Sequence, residues 1–147
     1  MYHSGWEKAP SDLEISWVRL FIFWVVVKID VETKICRVNS RLSFLRYGPG
    51  HYFKPHCDGL NDICVNGIQQ KSFVTLHLYL NDVESDGLEG GATRFWSPDK
   101  KHWLDVHPKL GRVLVFQQRM LIHSGEEVTK GVKYTMRGDF MFKQVEG

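Results

Sequence analysis

The sequence predicts a mainly β domain, a double-stranded β-helix (jelly roll) with a short N-terminal flanking segment. From residue 41 onward, strand-like stretches alternate with turns such as "GPG" at 48–50, "SDGLEGG" at 85–91 and "PKLG" at 108–111. No internal repeat and no linker interrupts this series. Short strands separated by such turns are typical of a jelly-roll sandwich or barrel. The predicted strands are residues 42–47, 52–58, 71–80, 92–96, 104–107, 112–117, 120–123 and 133–142.

Two of these strands combine an apolar face with a polar face, because side chains two residues apart in a strand point the same way. The polar faces consist of Thr75, His77 and Tyr79 in one strand, and of Lys133, Thr135, Arg137 and Asp139 in the other. In an antiparallel sheet with one wet side, such faces point to solvent. In a sheet that curls into a jelly roll, they can instead line the mouth of the barrel, with the leucines packed outward.

The composition fits one globular domain. The chain has 147 residues, 43% of them hydrophobic and 13% aromatic, which is enough to build a core. The net charge of +2 comes from interspersed acids and bases without a basic block, so no nucleic-acid partner is indicated. Cys36, Cys57 and Cys64 form no C-x-x-C pair, which argues against a structural zinc site or a disulfide framework and favours a reducing compartment such as the cytoplasm.

One apolar run needs separate consideration, "ISWVRLFIFWVVVKI" at residues 15–29. Arg19 interrupts it, and the uninterrupted part at 20–27 is far shorter than the roughly 18 to 20 residues that span a bilayer. No small-residue cleavage site follows the run. We therefore interpret it as a buried strand or helix and predict no membrane span.

The stretch "LRYGPGHYFKPHCDG" at residues 45–59 places a histidine and a carboxylate together. In a strand, His56 and Asp58 project side by side, which makes either a charged surface strip or two-thirds of a metal site. Among the six other histidines, His123 is a candidate third ligand, because it directly follows an apolar strand. Two histidines and one carboxylate leave three open positions on an octahedral ion, as in non-haem Fe(II) oxygenases.

Four motifs then resemble one family in order and spacing: "RYGPGHYFKPHCDG", "TLHLYLND", "GGATRFW" and "LIHSGEEVTKGVKYTMR". They resemble the prolyl 4-hydroxylase-like Fe(II)/2-oxoglutarate dioxygenases over about residues 39–143. The resemblance implies a dioxygenase domain at 39–147 and leaves residues 1–38 as an unassigned segment. It also implies that His56, Asp58 and His123 are the catalytic iron ligands.

The resemblance further implies the residues that bind 2-oxoglutarate. Lys133, ten residues after His123, matches the family's basic residue for the distal carboxylate, which would otherwise be buried without a charged partner. Arg137 is an alternative anchor on the same face, or else it pairs with a nearby acid such as Asp139 or Glu126.

Three further residues match co-substrate pocket positions of the family. Tyr47 and Tyr79 match tyrosines that donate hydroxyls to 2-oxoglutarate, and Thr93 matches a pocket threonine. Their alternative roles are two core aromatics and an ordinary strand residue.

The implied reaction decarboxylates 2-oxoglutarate to succinate and CO2 while O2 hydroxylates a C–H bond of a peptidyl residue, proline included, or of a small molecule. Ascorbate is the reductant implied by the resemblance. Asp58 favours hydroxylation, because halogenating relatives lack this carboxylate. Two rival hypotheses are a cupin-type zinc enzyme and a catalytically degenerate jelly-roll binding module.

Overall fold

The computed structural model describes residues 33–84 and 86–144, which within these ranges form strands, turns and loops and no helix. The predicted mainly β architecture is therefore confirmed. The strands are β1 (Thr33–Val38), β2 (Ser43–Tyr47), β3 (Phe53–His56), β4 (Asp62–Val65), β5 (Ile68–Tyr79), β6 (Glu89–Gly90), β7 (Thr93–Trp96), β8 (Trp103–Val106), β9 (Val113–Gln117), β10 (His123–Gly125), β11 (Val128–Lys130) and β12 (Lys133–Gln144).

A large sheet is built around the two longest strands, β5 and β12, which pair antiparallel. β2 and β1 pair in turn with the first and second halves of β12, and β9 and β4 pair with the other edge of β5. The centre of this sheet thus carries the two polar faces of the sequence. The register places Arg137 opposite His77 and Thr135 opposite Tyr79, so the two faces lie on the same side.

A smaller sheet of four strands, in the order β3-β10-β7-β8, contributes the second layer, and β11 and β6 form a separate two-stranded ribbon. Between the layers lies an apolar cluster that draws on both sheets. Its buried members are Tyr79, Phe95, Val106, Leu114, Phe116 and Leu121. Burial of these large side chains is the main favourable contribution to the packing of one sheet on the other.

The polar faces of β5 and β12 point into the barrel. The alternative in which these polar faces point to solvent is therefore wrong. Thr75 and Tyr79 are fully buried, and Lys133 is only 4% exposed. The opposite face of the same sheet carries apolar side chains of intermediate or high exposure, including Leu76 and Leu78. The alternative in which the leucines face outward is the correct one.

All eight predicted strands have a counterpart, but four strands were not predicted: β1, β4, β6 and β11. Of these, β4 had a local signal. Asn66 and Gly67 both have positive φ, 52° and 78°, between β4 and β5, and an Asn-Gly pair of this kind makes a tight hairpin. The strand predicted at 120–123 instead begins at His123, and the strand predicted at 52–58 ends at His56.

The interpretation of the apolar run at 15–29 falls outside the described residues. Within them, Thr33–Val38 pairs with β12, so the end of the segment left unassigned by sequence belongs to the large sheet. The described ranges contain no helix that is long and apolar enough to cross a membrane.

Candidate functional site

Three side chains with metal-binding atoms converge where β3 and β10 meet. His56 ends β3, His123 begins β10, and the two are direct partners in the sheet register. Asp58 lies in the loop after β3, not in a strand as predicted, yet its Oδ1 is 3.4 Å from Nε2 of His56 and 3.7 Å from Nε2 of His123. One ligand atom from each residue lies within 4.8 Å of the others.

Both imidazoles are oriented by backbone carbonyls. Nδ1 of His56 is 2.8 Å from the carbonyl of Lys54, and Nδ1 of His123 is 3.2 Å from the carbonyl of Leu121. A carbonyl only accepts, so each Nδ1 carries a proton, and Nε2 is the ring atom of each histidine that can bind an ion. This arrangement is the usual support for a metal-binding histidine.

His123 is also held in its neutral form. Burial is the largest influence and lowers its pKa, although the neighbouring Asp58 raises it. The rings of Phe116 and His123 pack edge to face, with their centroids 4.8 Å apart. Because metals bind the neutral imidazole, this environment favours a ligand over a cation.

Asp58 is buried and fixed from two sides. Thr75 Oγ1 donates to Oδ2 of Asp58 at 2.6 Å, and a guanidinium nitrogen of Arg137 lies 3.1 Å from Oδ1. With Oδ2 taken by Thr75, Oδ1 is the oxygen that faces the two histidines. Around one ion with bonds of about 2.1 Å, ligand atoms at 90° are about 3 Å apart, so small side-chain shifts would close the set.

The loop that carries Asp58 is anchored by a buried polar network. Asn61 Nδ2 donates to Oδ2 of Asp139 at 2.6 Å, and its backbone N–H donates to Ser72 Oγ at 2.7 Å. Gln118 Nε2 donates to the other oxygen of Asp139 at 2.7 Å. The backbone after Asp58 is therefore tied to the sheet, which compensates for the absence of strand pairing at that residue.

Lys133 lies on the same inner face, two positions from Thr135 and four from Arg137. Its ammonium is 5.4 Å from the ring centroid of Tyr47 and 5.5 Å from that of Tyr79, within the range of cation–π contacts. Burial lowers the pKa of Lys133 to about 8, and no carboxylate of the described residues opposes that effect. Within the part of the chain that the structure describes, the side chain is a buried cation without an anionic partner.

Tyr79 and Thr93 contact each other. The hydroxyl of Tyr79 donates to Thr93 Oγ1 at 2.6 Å and lies 3.1 Å from the carbonyl of Val106. The Tyr79 ring therefore flanks Lys133 while its hydroxyl is engaged deeper in the core. Tyr47 pairs with Lys133 across the sheet, and burial raises the pKa of its phenol. A role of these three residues in binding 2-oxoglutarate stays a prediction.

Arg137 pairs with acids, as one of its two sequence interpretations proposed. It contacts Asp58, and it also lies 3.8 Å from Asp139, whereas Glu126 pairs with Arg94 at 3.0 Å. Its side chain is 33% exposed, in contrast to the buried Lys133.

A family model described as the 2OG-Fe(II) oxygenase superfamily matches residues 42–140, more than half of the chain. The chain belongs to this superfamily. The family assignment made from the four motifs is thereby confirmed, and it implies Fe(II) and 2-oxoglutarate, which suit the His-Asp-His set of the site. None of the curated proteins matches the chain significantly.

Solved structures of prolyl hydroxylases share the fold of this oxygenase. A Pseudomonas putida prolyl-4-hydroxylase is 24% identical with a TM-score of 0.52, over 72% of this chain and 52% of that one. A viral collagen prolyl hydroxylase from Paramecium Bursaria Chlorella virus-1, solved with 2OG, is 22% identical with a TM-score of 0.52, over 95% of this chain and 78% of that one.

A third similar structure is a prolyl hydroxylase from Trichoplax adhaerens in complex with a hypoxia inducible factor peptide fragment. It is 16% identical with a TM-score of 0.56, over 86% of this chain and 55% of that one. This oxygenase thus spans about half the length of two of the three similar structures. At these identities the likeness concerns the fold, and it confirms the predicted jelly roll.

The donor set of the oxygenase fits both implied groups. The two imidazoles and the single carboxylate suit Fe(II). For a dicarboxylate, the inner face offers the unpaired Lys133 together with two buried atoms that lack any hydrogen-bond partner among the described residues, Nε2 of His77 and Oγ1 of Thr135. A ligand with oxygen acceptors would satisfy all three.

Several residues at or beside the site of this oxygenase have no functional role predicted from the sequence. Thr75, His77 and Thr135 were recognised only as members of polar faces, and Gly91 only as a turn residue. A Cβ on Gly91 would lie 3.2 Å from Cδ of Lys133, so this glycine leaves room for the lysine side chain. The alternation of polar residues in β5 and β12 was the available signal, but only the register shows which of them meet.

Proposed function

We propose that this chain is an Fe(II)- and 2-oxoglutarate-dependent dioxygenase that hydroxylates a C–H bond of a peptidyl residue, proline included, or of a small molecule. The observation that supports it best is a three-residue metal-binding set next to the inner face of β12, which contacts the set through Arg137 and carries the buried Lys133, a cation with no carboxylate partner among the described residues. The second feature separates this proposal from a cupin-type zinc enzyme, because a metal site alone gives no reason to bury a lysine without an anion.

In this proposal His56, Asp58 and His123 hold the iron through Nε2, Oδ1 and Nε2. Bound Fe(II) supplies the oxygen chemistry, in which decarboxylation of 2-oxoglutarate to succinate and CO2 accompanies hydroxylation of the substrate. Thr75 keeps the second oxygen of Asp58 occupied, so that the carboxylate presents one oxygen to the ion. Ascorbate is proposed as the reductant, on the family resemblance.

Lys133 is the proposed anchor for the distal carboxylate of 2-oxoglutarate. Its charge is buried without a carboxylate partner in residues 33–84 and 86–144, whereas the charge of Arg137 is already compensated by Asp58 and Asp139. A dicarboxylate that chelates the ion at one end and pairs with Lys133 at the other gains a charge-assisted hydrogen bond in a dry pocket.

The test is 2-oxoglutarate binding to the metal-loaded chain by calorimetry. Lys133→Ala should weaken binding by roughly 30-fold or more, from a loss on the order of 2 to 5 kcal/mol, since each 1.4 kcal/mol is tenfold. Metal affinity should change little. Loss of binding in Arg137→Ala with no effect of Lys133→Ala would reassign the anchor, and no effect of either would reject the co-substrate assignment.

The metal-binding set has its own test in succinate release and Fe(II) binding. We expect both to be lost in each alanine variant of the set, because a two-ligand site does not retain the ion. The control variants replace His51 and His102, which lie outside the set. Full turnover in Asp58→Ala would contradict the assignment. The variants are His56→Ala, Asp58→Ala, His123→Ala, His51→Ala and His102→Ala.

The substrate is proposed to enter through an open groove of about 610 Å³ beside Asp58. Cys57, Leu60, Arg119 and Met120 line it, and the Met120 side chain is 87% exposed. An open groove suits a chain-like substrate, and the Trichoplax adhaerens relative was solved with a peptide. A panel of peptides and small molecules, screened by mass spectrometry for the gain of one oxygen, separates these substrate classes.

A further inference from the structure

Two side chains on the inner face carry buried polar atoms that the described part of the fold leaves unpaired. Nε2 of His77 and Oγ1 of Thr135 are shielded from solvent, and neither has a hydrogen-bond partner among the described residues. Buried polar groups in folded proteins are nearly always paired, so orphans of this kind call for an explanation. A bound ligand that accepts hydrogen bonds is one such explanation.

The sheet register places Thr135 between Lys133 and Arg137, and it places His77 level with Arg137. Along β12 the inner face runs from Lys133 through Thr135 to Arg137, and Arg137 contacts Asp58. His77 lies opposite Arg137 on β5. Residues two apart in a strand are about 6.6 Å apart, so Thr135 lies on the line along β12 from Arg137 to Lys133, and His77 lies beside that line on β5.

His77 is suited to donate a hydrogen bond to an anion there. Burial is the largest influence on the pKa of His77 and, together with the charges of Lys133 and Arg137 and the neighbouring His123, lowers it to about 3. The imidazole is therefore neutral at pH 7 and carries one N–H donor. The ring of Tyr79 packs edge-on against it with centroids 5.1 Å apart, which limits its rotation.

We propose that His77 is a specificity-determining residue, which together with Thr135 hydrogen-bonds the distal carboxylate of 2-oxoglutarate held by Lys133. This inference rests on the proposed function and adds to it. Lys133 supplies charge at one point, but a buried carboxylate has two oxygens with about four acceptor sites, and the remaining ones need donors. Nε2 of His77, in the tautomer that carries the ring proton there, and the hydroxyl of Thr135 are the orphaned groups that can supply them.

The experiment compares two 2-oxo acids by calorimetry on the full chain loaded with Mn(II). 2-Oxoglutarate has a distal carboxylate and 2-oxobutyrate lacks it. We expect His77→Leu to weaken 2-oxoglutarate binding by about 10-fold to 100-fold, as for a lost hydrogen bond to a charged group, and to leave 2-oxobutyrate binding unchanged. His77→Gln, which keeps an N–H donor, should restore most of the preference, and Thr135→Val should reduce it less than His77→Leu.

A readout on the unmodified protein accompanies the variants. In the protein loaded with diamagnetic Zn(II), which does not broaden nearby signals as Mn(II) does, the 15N and 1H signals of the His77 side chain, assigned by their loss in His77→Gln, should shift when 2-oxoglutarate is added and stay in place with 2-oxobutyrate. Equal loss of both acids in His77→Leu, or an unchanged preference between them, would overturn the inference while the proposed function stands. If the unmodified chain with Mn(II) binds no 2-oxoglutarate, the proposed function itself fails.

Discussion

Replacing Lys133 by Met should stabilise the ligand-free protein while it removes 2-oxoglutarate binding. The lysine is 4% exposed and unpaired by any carboxylate of the described residues, so the folded state holds a desolvated charge. Methionine has a similar length without the charge, and it adapts readily to the space between two aromatic rings.

The magnitude follows from the pKa and the ring contacts. A fall of the Lys133 pKa from 10.5 to about 8 corresponds to about 3 kcal/mol of desolvation, at 1.36 kcal/mol per pH unit. The two cation–π contacts with Tyr47 and Tyr79 offset about 1 to 2 kcal/mol of this. We therefore expect Lys133→Met to raise the free energy of unfolding at pH 7 by about 2 kcal/mol, measured by urea denaturation without metal or ligand.

The pH dependence gives a second measurement. Between about pH 8 and 10.5 the unfolded lysine still binds its proton while the folded one has lost it, so the unfolded state holds more protons and the stability of the unmodified protein rises with pH. The advantage of Lys133→Met should therefore be fully present below pH 8 and shrink toward pH 10.5. Lys130, exposed and paired with Glu89, provides the control Lys130→Met, which should change neither stability nor this profile appreciably.

Destabilisation by Lys133→Met at pH 7, or an advantage that does not shrink with rising pH, would refute the reasoning. Either result would mean that the lysine charge is solvated or paired in the folded protein. The assignment of Lys133 as an anchor for a buried carboxylate would then lose its physical basis.

Two further substitutions probe the supports of the site. Thr75→Val removes the hydrogen bond to Oδ2 of Asp58. We expect it to lower Mn(II) affinity by about 10-fold to 100-fold, as is typical when a metal ligand loses its hydrogen-bond partner. Unchanged affinity in a metal titration would show that Asp58 does not need this hydrogen bond. Gly91→Ala places a methyl group on a residue with a φ of 70°, 3.1 Å from Val128 and 3.2 Å from Lys133. Because of this crowding and the strained backbone, we expect it to lower both the free energy of unfolding, measured by denaturation, and the affinity for 2-oxoglutarate, measured by calorimetry. Wild-type values in both measurements would contradict the crowding.

The sequence allowed the metal-binding set to be predicted because its members lie in or next to short strands with a clear period. His56 and Asp58 are two residues apart, and His123 follows an apolar stretch, so one shared face was a reasonable inference. The structure brings the three together by a different local route, since Asp58 lies in a loop held by Asn61 and Thr75. Residue type and order were predictable, but the loop conformation depends on contacts distant in sequence.

The co-substrate pocket was only partly accessible to the same reasoning. Alternation showed that His77 and Thr135 belong to polar faces, but their neighbours depend on the register between β5 and β12. Those strands are separated by more than 50 residues, and nothing local specifies how far one slides along the other. Lys133 could be singled out only because the resemblance to a family gave a lysine at that position a role.

The inner face of β5 and β12 breaks the rules by which a sheet of this kind gains stability. A jelly roll normally fills its interior with apolar side chains, yet this one buries a charged lysine and the orphaned atoms of His77 and Thr135. The leucines that could have filled the space point to the opposite face. Buried polar groups that lower stability and make no compensating contact within the fold are expected at a functional site, where a ligand supplies the missing hydrogen-bond and charge partners. Stability and ligand affinity should therefore change in opposite directions when these residues are replaced by apolar ones, and a variant such as Thr135→Val that lost both would show that its hydroxyl serves the fold.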